Sequence, residues 1–121
     1  MNAAEGQRKM NQADIQPSNR QHAVAQVVTD RASIHLQQLC KHFAHKLQVQ
    51  FTPNEGRIKF GAGTCRLTAG DHILTLRVGA EDAVQLAQLE DVVARHLERF
   101  AFRAPVAIEW RTAPAALSPA Q

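Results

Sequence analysis

No apolar run in this chain approaches the ~18 residues that would suggest a membrane span. Met1 to Lys9 is followed by no apolar stretch of the kind a secretory signal carries, so a cytoplasmic protein without a membrane partner is expected. The only two cysteines, Cys40 and Cys65, form no CxxC, CxxCH or zinc-ribbon spacing. In a reducing compartment such thiols behave as small hydrophobes, and both are expected to be buried and reduced. There is no GxSxG elbow and no HExxH. Gly61-Ala62-Gly63 joins two alternating segments rather than a strand to a helix, which excludes a phosphate loop there. Cys65 alternates with core residues, whereas a catalytic thiol needs partial exposure. The chain is also too short for a barrel or a dinucleotide-binding domain with its own substrate site. No enzyme is expected, and no cofactor is evident.

What remains is an ordinary globular composition: 121 residues, 45% hydrophobic and 21% charged, enough for one core. A net charge of +3 permits an acidic or phosphate-bearing partner but falls short of a nucleic-acid signature. Residues 1–21 show no periodicity and residues 112–121 are rich in Pro and Ala, so both read as disordered tails around a single domain at 22–111.

Within that domain the apolar spacing changes period along the chain. His22 to Val28 reads as a strand. From Asp30 to about Leu47 the pattern is helical, with Ala32, Leu36, Leu39, Cys40, Phe43 and Leu47 on one face and Thr29 or Asp30 as cap. Period-2 alternation then gives four short strands, around Val49, Ile58, Leu67 and Leu76. The turns between them fall at Pro53-Asn54-Glu55-Gly56, Gly61-Ala62-Gly63 and Gly70-Asp71. A helix from about Glu81 to Phe100 carries the stripe Leu86, Leu89, Val93, Leu97, with Asp91 and Arg95 paired on the wet side. Val106, Ile108 and Trp110 predict a last strand ending at Arg111. The fold class is α+β in the order β-α-β-β-β-β-α-β. It has two layers, with both helices on one face of a curved antiparallel sheet, an architecture like the TBP-like folds.

Two groups of residues could carry function. His35, Gln38, His42 and His45 flank the apolar stripe of the first helix. Only His42 and His45, at i and i+3, could reach one metal ion, and two ligands do not close a site. The competing reading is a solvated histidine-rich flank. On the sheet, if Phe51, Phe60, Leu67, Leu76 and Trp110 face the helices, then Arg57, Lys59, Arg66, Arg77 and Arg111 project from the other side, with Glu109 as the acid among them. That face is either a solvated surface whose charges discourage aggregation or a platform for an anionic ligand or protein. No aromatic residue lies on it to stack a base, so nucleic acid is an unfavoured partner. Glu90, at the edge of an apolar stripe, calls for a partner such as Lys46 or His42.

LQQLCKHFAHK at Leu36–Lys46, GTC at Gly63–Cys65, LEDVVARHLERFAFR at Leu89–Arg103 and IEWR at Ile108–Arg111 resemble a small bacterial family known as domain of unknown function two-two-one-eight. The resemblance covers Val24 to Arg111 and carries over no catalytic or binding residue. Relatives can occur joined to, or alongside, siderophore-interacting flavin reductases. The resemblance therefore implies an accessory in iron handling that binds an anionic chelate or docks on such a reductase. Two alternatives stay open: a dimerising interaction module using the open sheet face, and a metal or haem carrier using His42 and His45, with iron or haem as the cofactor.

Overall fold

The computed structural model describes residues 21–113. The tails expected at 1–21 and 112–121 fall outside the described residues, except that Gln21 opens the first strand and Thr112 and Ala113 belong to the last. The elements are β1 (Gln21–Val28), α1 (Ala32–Phe43), β2 (Gln48–Phe51), β3 (Glu55–Lys59), β4 (Gly63–Ala69), β5 (Ile73–Ala80), α2 (Ala83–Phe100) and β6 (Arg111–Ala113). The fold is the expected two-layer α+β arrangement. Six antiparallel strands lie in the order β2-β3-β4-β5-β1-β6, and two helices cover one face.

Short loops set the register of the meander. Phe60 and Gly63 exchange backbone hydrogen bonds of 2.7 and 3.3 Å around Gly61-Ala62, a two-residue hairpin that places Arg57 opposite Arg66. Gly70 N–H donates to Ile73 O at 2.8 Å, and that turn places Arg66 opposite Arg77. Since side chains alternate along each strand, Ile58, Cys65, Leu67, Leu74, Leu76 and Val78 all turn inward and are buried. Leu36, Leu39 and Cys40 of α1 and Leu89, Val93 and Leu97 of α2 close over them. Both thiols are 0% exposed, as their alternation requires. Burial pushes the Cys40 thiol up to about 11, and burial together with nearby Cys40 raises Cys65 further, so both stay protonated and inert at neutral pH.

The structure corrects the element ends. Helix α1 stops at Phe43 and begins after Arg31 with no side-chain cap. Thr29 Oγ1 instead accepts from Arg31 N–H at 3.0 Å, and Asp30 pairs with His72 at 2.8 Å, tying the start of α1 to the β4–β5 turn. Helix α2 is capped by Asp82, whose carboxylate accepts from Gln85 N–H at 2.8 Å. The last strand is not Val106–Arg111. Val106, Ile108 and Trp110 pack half-buried against the core as expected, yet ladder pairing begins only at Arg111. Phe51 does not turn fully under the helices and is 37% exposed, because β2 is an edge strand beyond the reach of α2.

Candidate functional site

The open face of the sheet carries a single transverse row. The register places Gln50 opposite Arg57, Arg57 opposite Arg66, Arg66 opposite Arg77, Arg77 opposite Val24 and Val24 opposite Arg111. Adjacent strands lie about 4.8 Å apart, so Arg57, Arg66 and Arg77 are anchored over roughly 10 Å, with Arg111 two strands beyond. Lys59 stands one row over, opposite Thr64. Arg57, Lys59, Arg66 and Arg111 are exposed and Arg77 is half-buried. All five expected basic residues therefore share one face, and four of them share one line.

Among the described residues no side chain forms an ion pair with that line. The ion pairs among the described residues are Asp30–His72 and Asp91–Arg95, on other surfaces. Like charges directly opposite each other on a sheet are destabilising, by roughly 0.2–1 kcal/mol for each pair. The row is thus a local cost that the folded state carries by itself and that a bound anion would relieve. Between β2, β3 and β4 the same face sinks into an open depression of about 590 Å³, where Phe51, Gly56 and Leu67 join the polar Gln50, Thr52, Glu55, Arg57, Arg66 and Thr68 in the lining.

Glu55 is the residue that sequence reasoning missed. Pro53-Asn54-Glu55-Gly56 reads as a turn, but the connection is only Pro53-Asn54, and Glu55 begins β3 on the same face as Arg57. The signal was available: a two-residue hairpin leaves Glu55 two positions before Arg57, on the same side of the strand.

The histidines separate rather than cluster. His35 is not on the wet flank; it is 2% exposed, and its Nδ1–H donates to Gln38 Oε1 at 3.0 Å. His42 is exposed, and its ring meets that of His96 on α2 at 4.8 Å between centroids, with Phe43 at 5.0 Å and Phe100 at 5.9 Å. His96 Nδ1–H donates to Val92 O at 2.7 Å. Packing against these rings, followed by the charges of His96, Arg99, His45 and Lys46, holds His42 below the ordinary histidine range. His45 is exposed at the carboxyl end of α1. Among the described residues no three His, Cys, Asp or Glu side chains are grouped to hold a metal ion. The partner that the structure brings closest to His42 across the helix seam, His96, could not be found from spacing within one helix.

Glu90 makes no ion pair with Lys46 or His42. It is half-buried, and loss of water around the carboxyl raises its pKa. An acid raised in the folded state favours folding while protonated, and that advantage is lost as pH climbs through the raised value. Glu90→Gln is therefore expected to melt above the parent protein at pH 7, with the gain shrinking as pH falls into the ordinary carboxylate range. Thermal melts at pH 4, 5.5 and 7 check the sign; a variant less stable at pH 7 would restore a paired carboxylate.

These features define a class: a small open-faced α+β domain whose helices bury one side of the sheet and whose other side presents a row of arginines, unpaired among the described residues. The chain belongs to the family described as "Uncharacterized protein conserved in bacteria (DUF2218)", which it matches over residues 24–111. It is similar to the NMR structure of PA4090 from Pseudomonas aeruginosa. The two are 35% identical, with a TM-score of 0.66 over 78% of this chain and 97% of that one. No curated protein matches the chain. No helix among the described residues is long and apolar enough to cross a membrane.

Proposed function

We propose that this protein is a cytoplasmic binding protein, not an enzyme, whose open sheet face takes a compact anion bearing several charges. The observation that carries the reading is the row Arg57–Arg66–Arg77, three guanidinium groups on neighbouring strands with no carboxylate partner among the described residues. Guanidinium groups are suited to carboxylate and phosphate oxygens because their donors form a planar fork. The resemblance to domains found beside siderophore-interacting reductases supports an accessory role in iron handling, with an anionic ferric chelate as ligand.

Docking of an acidic reductase surface on the same row is the other outcome the chemistry allows. Face-to-face dimerisation is less favoured, since a copy would bring a second arginine row into the same interface. A metal or haem carrier based on His42 and His45 would have to work beside Lys46 and Arg99, whose positive charges oppose a bound cation.

The test is an amide-resolved NMR titration with tripolyphosphate at 20 and 300 mM NaCl. Shifts should concentrate on residues 55–59, 64–68 and 75–78 and weaken at the higher salt, as screening demands. Shifts centred instead on residues 42–46 and 96–99 would move the site to the helices. Absence of any shift at millimolar tripolyphosphate would count against an anion site on this protein.

A further inference from the structure

We propose that the depression beside the arginine row selects a zwitterionic small molecule, one that carries an anionic group and a protonated amine on a short spacer. This inference rests on the anion-binding reading above and names the ligand class more narrowly. Across the strands the charged residues of the row are all cations, but along β3 the sign changes. Glu55 and Arg57 are two residues apart on one side of the strand, so their anchors are separated by roughly 7 Å. Glu55 lies opposite Thr68 and Arg57 opposite Arg66, which makes the two rows parallel walls of one depression: acid and hydroxyl on one side, two guanidinium groups on the other.

Glu55 is anchored roughly 7 Å from Arg57 on the same side of the strand, yet it forms no ion pair with either arginine. Its position is held from below. Thr52 Oγ1 accepts from Asn54 N–H at 3.2 Å and from Glu55 N–H at 3.1 Å, and Thr52 N–H donates to Glu55 O at 2.8 Å. On the neighbouring strand Ala69 N–H donates to Asn54 O at 2.9 Å, which fastens the same turn to β4. Because that backbone is already fixed, a ligand that meets the Glu55 carboxylate has only the side chain left to order. A ligand with anionic groups at both ends would meet repulsion from Glu55 if it lay along the strand. An aminated anion satisfies both walls, with the anionic end between Arg57 and Arg66 and the amine against Glu55 and Thr68.

The sign of one substitution tests this. The full-length protein and Glu55→Gln are titrated by NMR with 4-aminobutylphosphonate and with butylphosphonate, which share the anionic group and differ in the amine. The parent protein should prefer the aminated probe. Glu55→Gln should weaken 4-aminobutylphosphonate by about threefold, the size expected of an exposed ion pair lost, and leave butylphosphonate equal or slightly tighter. Glu55 is exposed, so the variant should keep the parent spectrum away from the depression. If Glu55→Gln tightens both probes or changes neither, the zwitterion is wrong while the arginine row stands. If neither probe nor tripolyphosphate shifts the face in the parent protein, the anion-binding reading fails and this inference falls with it.

Discussion

Replacing Arg57, Arg66 and Arg77 together with glutamine is expected to leave the protein folded, slightly more stable at low salt, and more than about 100-fold weaker for tripolyphosphate. The affinity loss follows from removing charge-assisted hydrogen bonds, each of which contributes about 1.5–3 kcal/mol, where a tenfold change is about 1.4 kcal/mol. The stability gain follows from the register. Arg66 is flanked on both sides by a like charge, so the triple change removes two unfavourable cross-strand pairs. Urea denaturation at 20 and 500 mM NaCl checks the second part, and the gain should fade at high salt because screening already weakens the repulsion in the parent. A variant that is less stable at both salts would show that the arginine stems pack on the sheet, a contribution separate from charge. His42→Ala combined with His45→Ala should leave tripolyphosphate binding intact. Retained binding in the arginine variant with loss in the histidine variant would move the function to α1.

Gly63→Ala is expected to destabilise the fold by about 3 kcal/mol, the upper end for overpacking, while Gly61→Ala two residues earlier costs nothing. A Cβ on Gly63 would lie 2.0 Å from Gly79 O and 2.9 Å from Leu89 Cδ1. The first of these is backbone of the paired strand β5 and cannot rotate away; the second is a buried side chain of α2. At this point β4, β5 and α2 meet, and only a residue without a side chain fits between them. At Gly61 nothing lies within 4 Å of where a Cβ would sit, and its backbone is not left-handed, so alanine there should be neutral or stabilise by up to about 1 kcal/mol through the unfolded state. Chemical denaturation of the two variants side by side is the check. Equal effects would mean that β4 slides relative to β5 to admit the methyl group, and the register that builds the arginine row would then be softer than the structure shows.

The two glycines also mark where sequence reading stops. Gly61-Ala62-Gly63 announces a turn, and the turn is there, but nothing in the string distinguishes the free glycine from the one wedged under α2. Local patterns report on a residue's own element: alternation identified which side of each strand faces water, and the helical spacing of Leu36, Leu39, Cys40, Leu89, Val93 and Leu97 identified the buried stripes. That was enough for the element order, the two layers, the buried thiols and the common face of the five basic residues. It failed at His35, which sits at the margin of a stripe where a few degrees of helix rotation decide between water and core. It failed also at Val106–Trp110, where inward alternation was mistaken for ladder pairing.

By itself, then, the sequence determined periodicity, and periodicity determined the faces, because a strand or helix imposes its repeat on every side chain it carries. Relations between elements were decided by the tertiary structure. Strand β1 lies between β5 and β6, His42 meets His96 across two helices, and the arginines of three strands fall into one line with Glu55 beside it. These depend on register and strand order, which are set by hairpin length and by how both helices fill one face of the sheet. A shift of two residues in any strand would have kept every face unchanged and taken that strand's arginine out of the row.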